Sequence, residues 1–226
     1  MKFQLATPDY TYEASQKTGC VNGGTVEKYT HGSIQYHYLM ENAKLKISAV
    51  IPTNLKRPKE LEEIKKHLSQ YFDDIVIMVD DGKRMYNRYL AKTKYDIIYT
   101  QDDDLIVENI PDLVKNYEYG VVTCNAKKDG KEIYDKLFGG KIQLVGYGAI
   151  YHKDSINFSK YFSKFPEDER FYREADRVFT WFNKKNVIVA DDKMKQFPSA
   201  EKGMSIDNDH YSSRDEIVKR LIQCEY

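Results

Sequence analysis

The strongest constraint on this chain is a series of apolar runs that each end in a polar, acid-rich turn. Leu45 to Ile51 reads as a strand closed by Pro52-Thr53-Asn54. Asp74 to Val79 reads as a second, ending in Asp80-Asp81-Gly82, and Tyr95 to Thr100 as a third, ending in Gln101-Asp102-Asp103-Asp104. These runs alternate little between apolar and polar, so both faces of each strand are expected to be covered. Helical patterns separate them. Leu61, Ile64 and Leu68 make an i, i+3, i+7 stripe in a helix over Pro58–Tyr71, with proline in its first turn.

Further helices are expected over Lys83–Lys92, Asn109–Tyr117 and Arg170–Asn183. A last one runs from about Ser213 to Cys224, with Ser213 and Glu216 as a capping box. Strands are expected at Gly120–Asn125, at a pair around Ile133–Phe138 and Ile142–Tyr151, and at Val187–Ala190, with Asp192 to Asp209 a long loop. This alternation predicts an α/β fold, a single domain with a mostly parallel central sheet flanked by helices. The domain is expected over residues 45–226. Residues 1–44, polar and bearing Gly19, Gly23, Gly24 and Gly32, read as an extension of short strands and loops.

Carboxylates at the end of an apolar strand sit where open α/β sheets bind ligands. Three adjacent like charges raise one another's pKa, and a bound cation relieves them. Carboxylate oxygens suit Mg²⁺ or Mn²⁺, which in turn hold phosphate oxygens. An EF-hand reading fails, because Val107 stands where such a loop, counted from Asp102, needs its turn glycine. Two other phosphate motifs fail as well. Gly146-Tyr147-Gly148 lacks the third glycine of a dinucleotide fingerprint and lies in a strand, and no P-loop is present.

The 226 residues carry 35 Lys and Arg against 35 Asp and Glu, so no net field favours nucleic acid. Cys20, Cys124 and Cys224 form neither a paired framework nor a zinc motif, which favours a reducing, cytoplasmic setting. No secretory leader and no membrane-spanning run is read. The 19 tyrosines suit a site that stacks and hydrogen-bonds sugars or bases.

Several stretches, in order, resemble glycosyltransferases of the GT-A fold, near the family 2 and exostosin-like enzymes. They are Val50-Ile51-Pro52-Thr53-Asn54 with Arg57-Pro58, Ile77 to Gly82, Tyr86-Asn87-Arg88-Tyr89, Tyr99 to Asp104, Gly146 to Tyr151, and Arg173 to Phe179. The similarity spans roughly residues 46 to 190. It departs from the family in having Glu174-Ala175-Asp176 where an adjacent Glu-Asp pair is usual.

The resemblance implies a metal-dependent enzyme that moves a sugar from a nucleotide-diphosphate donor, a UDP-sugar first, to a hydroxyl on a glycan or glycoprotein. It implies Mn²⁺ or Mg²⁺ held by Asp104, with Asp102 and His210 as further ligands. Pro52, Thr53, Asn54, Arg57 and Asp80 would line the base and ribose pocket. Arg88 would face the diphosphate, and Asp102 and Asp103 the ribose or metal-bound water. Asp176 would be the general base. Residues 191 to 214, with Lys193, Lys195, Lys202 and Arg214, would close over the donor. The alternatives are a sugar-nucleotide nucleotidyltransferase, which would want a glycine-rich basic loop after the first strand, and a non-catalytic sugar- or nucleotide-binding module.

Overall fold

The computed structural model describes residues 20–21, 24–25, 40–41, 44–82, 84–125, 127–128, 131–132, 145–166, 168–190, 194–198 and 210–224. Its elements are β1 (Lys44–Thr53), α1 (Pro58–Leu68), β2 (Phe72–Val79), β3 (Ile97–Thr100), β4 (Leu105–Val107), α2 (Ile110–Lys115), β5 (Val122–Asn125), β6 (Ala149–His152), α3 (Arg170–Asn183), β7 (Val187–Ala190), β8 (Met194–Gln196) and α4 (His210–Gln223). No helix among the described residues is long and apolar enough to cross a membrane.

A seven-stranded sheet organises the molecule. Its order is β7-β5-β6-β3-β1, with β2 on β1 and the two-residue strand Met40–Glu41 at the start of β1. β1 carries the architecture. Its alternate residues Leu45, Ile47, Ala49 and Ile51 enter one core with α1, α2 and β4, while Val50 enters the opposite core with α3 and α4. Both faces are thus sealed, as the unbroken apolar runs require. The polar residue in this central strand, Ser48, is satisfied. Its hydroxyl donates to Asp74 and accepts from the Tyr95 backbone N–H at 3.0 Å.

The sheet is mixed rather than mostly parallel. β1–β2, β1–β3 and β7–β5 are parallel, while β6 runs antiparallel to both β3 and β5, and Met40–Glu41 antiparallel to β1. Apolar patterning reports that a strand is buried, not which way it runs, and that explains the difference. Antiparallel neighbours also need no crossover helix, and none lies between β5 and β6 among the described residues.

Helix α3 and strand β7 have the expected bounds, Arg170–Asn183 and Val187–Ala190. Other elements differ. The helix expected over Lys83–Lys92 is a 3₁₀ turn, Arg84–Tyr89. The Asn87 amide explains this, since it donates to Val79 O and Asp81 Oδ1, both at 3.1 Å, and pins the turn back onto the end of β2. Ser213 lies inside α4, which starts at His210, so it is no cap. Glu216 pairs with Lys219 at 2.7 Å instead.

Within the expected loop 192–209, β8 pairs antiparallel with β4. The expected strand at Ile133–Phe138 lies outside the described residues. Of the expected Ile142–Tyr151 strand, residues 142–144 also lie outside the described residues, Val145–Tyr147 is a 3₁₀ turn, and β6 follows.

Gly148 joins that turn to β6 at φ +96°, and a Cβ there would stand 2.6 Å from Val107 Cγ2. Gly148→Ala is expected to cost about 1–3 kcal/mol in backbone strain alone, read from the urea midpoint. Adding Val107→Ala should recover only the steric part.

Candidate active site

The site forms at the C-terminal ends of β1, β2 and β3. The turn after β3 is built to hold its shape. Gln101 donates to the carbonyl of Leu105 and accepts from the Tyr99 hydroxyl at 2.7 Å. The Asp102 N–H donates to Gly146 O at 2.8 Å, and the Phe197 N–H to Asp104 O at 2.7 Å. The 3₁₀ turn before β6 and the end of β8 therefore clamp the acid triplet from two sides.

The three acids have different environments. Asp103 is buried, and both of its oxygens are engaged. Oδ1 pairs with Arg57 Nη1 at 2.7 Å and Oδ2 accepts from Thr53 Oγ1 at 2.5 Å. Asp102 gives Oδ1 to Arg88 Nη2 and accepts no hydrogen bond at Oδ2 among the described residues. Its carboxylate lies against Gly146, where a Cβ would come within 2.5 Å of Oδ2. Burial pushes its pKa up, and Arg88 opposes the rise.

Asp104 forms no ion pair among the described residues. Burial first, then the charge of Asp102, with Asp103 adding to it, pushes its carboxyl up to about 6. Two arginines thus neutralise two acids and leave the third short of a cation.

Asp176 lies in the middle of α3 and is buried. Its Oδ1 accepts from the Tyr89 hydroxyl at 2.8 Å and lies 3.2 Å from Arg88 Nε. Oδ2 accepts no hydrogen bond among the described residues. Burial, only partly offset by Arg88, raises the carboxyl to about 6. Beside it, Glu174 interrupts the helix at φ −110°, ψ 18° and binds Arg177 Nε at 2.6 Å. Its carboxyl is pushed up to about 7 by burial, against the pull of Arg177 and Arg214.

Pro52, Thr53, Asn54 and Asp80 converge at the ends of β1 and β2, where the Asp80 N–H donates to Thr53 O at 2.8 Å. Asn54 closes an Asx turn onto Lys56 N, and the Thr53 hydroxyl accepts from Leu55 N, both at 3.0 Å. Arg57 and Arg88, expected at the nucleotide, are bonded to Asp103 and to Asp102 with Asp176. The His210 side chain lies outside the described residues, as do residues 191–193 and 199–209 of the expected closing segment.

Tyr89, Gly146 and Gln101 are site residues that the sequence marks only by position, Tyr89 beside Arg88, Gly146 in the Gly146–Tyr151 stretch and Gln101 in the Tyr99–Asp104 stretch, with no individual role.

No three His, Cys, Asp or Glu side chains form a metal cage among the described residues. Mg²⁺ and Mn²⁺ do not need one, since one or two carboxylates suffice beside substrate phosphates and water. Asp104, with no ion pair among the described residues, and Asp102 Oδ2 are donors of the right kind.

No protein-family model matches the sequence, and no curated protein sequence matches it. Among solved structures, the chain is similar to the catalytic domain of Drosophila β1,4-galactosyltransferase 7 in complex with xylobiose. Identity is 15%, coverage is 74% of this chain and 79% of that one, and the TM-score is 0.48. It is also similar to a point mutant of that enzyme in complex with manganese, UDP-Gal and xylobiose, at 15% identity, 76% and 79% coverage and TM-score 0.39.

The raised pKa of Asp104 fixes a sign. A carboxyl with a folded pKa of about 6, against an ordinary aspartate value of 3.8, favours the folded state fully below pH 3.8 and loses that contribution as pH rises through 6. In EDTA, Asp104→Asn should therefore be more stable than the parent by about 1–3 kcal/mol at pH 7.5. The gain should vanish below about pH 4, as read by thermal melts across pH.

Proposed function

We propose that this protein is a metal-dependent glycosyltransferase that uses a nucleotide-diphosphate sugar, a UDP-sugar first, and transfers the sugar to a hydroxyl acceptor. One observation carries the reading. Of three adjacent acids at a sheet's C-terminal edge, two are matched to arginines and the third, Asp104, forms no ion pair among the described residues. That arrangement suits a divalent ion delivered with a diphosphate better than it suits a solvated turn. Asp104 would hold the ion, with Asp102 as second donor. When bound, the ion stabilises charge developing on the departing diphosphate.

The protein's own groups supply the rest. Pro52, Thr53, Asn54 and Asp80 offer the base and ribose a shelf beside the triplet. Asp103 holds that shelf to the triplet through Thr53 and Arg57. Asp176 is the general base. Its Oδ1 is held by Tyr89 and Arg88, so Oδ2 remains to take the acceptor's proton as the acceptor oxygen bonds to the sugar carbon and the bond to the diphosphate breaks. A carboxyl near 6 is ionised at neutral pH and more basic than an exposed aspartate. The loop after β1, Asn54 to Arg57, is not the glycine-rich loop of a nucleotidyltransferase.

The test is a thermal-shift and turnover panel of nucleotide sugars with and without Mn²⁺. A true donor should raise the parent's melting temperature only with the metal. Asp104→Ala should abolish that rise. Asp176→Asn should keep it while turnover falls about 10²-fold or more. Metal-independent shifts that survive Asp104→Ala would overturn the reading.

A further inference from the structure

Arg88 does not sit where a ligand for an incoming anion should. Its side chain is wholly enclosed. Nε and Nη1 are both sealed from solvent, and Nη2 is spent on Asp102 Oδ1. A diphosphate arriving from solvent cannot reach this guanidinium without displacing Asp102 or Asp176.

The elements around it indicate a different task. A single 3₁₀ turn, Arg84–Tyr89, supplies Arg88 to Asp102, Arg88 again to Asp176 Oδ1 at 3.2 Å, and the Tyr89 hydroxyl to that same oxygen at 2.8 Å. Asp102 belongs to the turn after β3, and Asp176 to α3 on the far side of the chain's order. Nη2 donates to Asp102, while Nε meets Asp176 as an ion pair without hydrogen-bond geometry, so one rigid, planar cation sets the relative placement of the two carboxylates, which a flexible ammonium does not. Both Asp176 contacts fall on Oδ1, which turns Oδ2 away from the bridge. Burying a lone guanidinium is severely unfavourable, so two acids around one arginine form a unit that holds together or fails together.

We propose that Arg88 is the positioning residue of this site. From within the protein it fixes the donor-side carboxylate Asp102 relative to the acceptor-side carboxylate Asp176, and it does not touch the diphosphate. The inference rests on the glycosyltransferase reading and on Asp176 as its base.

The experiment compares the parent with Arg88→Lys, Arg88→Met, Asp176→Asn and the double variant Arg88→Met/Asp176→Asn. UDP affinity is measured by calorimetry with Mn²⁺, and turnover with the UDP-sugar the parent accepts. A positioning role predicts that kcat falls about tenfold or more in both Arg88 variants, with any loss of UDP affinity through the displaced Asp102 smaller than the loss of kcat. It also predicts that Asp176→Asn costs little further in the Arg88→Met background, because residues acting as a unit are non-additive. Lysine should rescue folding but not kcat. A loss of UDP affinity of about tenfold with kcat unchanged would make Arg88 a donor ligand and overturn the proposal. So would fully additive losses in the double variant.

If Arg88→Met does not fold, the Arg88→Lys comparison decides alone. If the parent binds no UDP and turns over no donor, the function reading fails. The bridge itself is then decided by the urea midpoints of the same four variants, where additive shifts would overturn it and coupled shifts would uphold it.

Discussion

Three carboxylates on consecutive residues of one half-buried turn set the problem that the rest of the site answers. Their mutual repulsion in a poorly solvated place would unfold the turn or protonate the acids. The chain solves the problem locally and unequally. Arg57, just ahead of α1, takes Asp103. Arg88, from the 3₁₀ turn after β2, takes Asp102. Among the described residues, Asp104 receives the pull of Arg57 and a hydrogen bond from Gln196 but no ion pair. An evenly neutralised triplet would be inert structure. A triplet with one acid unmatched among the described residues is sensitive to any cation that reaches it, and its stability would report that contact.

The two arginines also explain why elements distant in sequence must meet at this edge. Arg57 ties the loop after β1 to the loop after β3, and the Thr53 hydroxyl shares the same carboxylate. Arg88 ties the β3 loop to α3. The candidate site is thereby assembled from strand ends whose relative positions are set by buried ion pairs. Buried pairs contribute little net stability but strongly penalise misplacement, because a broken pair leaves a charge inside the protein. Such pairs therefore suit positional accuracy better than bulk stability.

What the sequence made legible follows the physics of each signal. Apolar periodicity located β1, α1, β2 and β3, and matched α3 and β7 residue for residue, because burial selects side chains directly. The strand-end acids were legible for the same reason, being charged residues against an apolar run. Strand direction was not legible, so β6 as an antiparallel insert in the centre of the sheet had no sequence signal.

The short Arg84–Tyr89 turn was misread as a helix because its shape comes from Asn87 bonding back to β2, a tertiary contact that no local pattern carries. Arg57 and Arg88 were noticed as cations near an anion site. Only the three-dimensional arrangement shows that their anions are carboxylates of the protein itself.

The pairing of β8 with β4 has a consequence for how the site comes into being. β4 follows the triplet directly, yet its antiparallel partner, Met194–Gln196, is synthesised only after the whole central sheet has been laid down. The Phe197 N–H that closes on the Asp104 carbonyl arrives with it. β8 begins four residues after β7 ends, so this contact must await β7 itself. During synthesis the nascent chain would therefore carry β1, β2, β3, β5 and β6 while the acidic turn is still open on one side. The last clamp on that turn would close only once the late segment had docked. Competence for chemistry would thus follow compaction as a separate, later event in the life of each molecule.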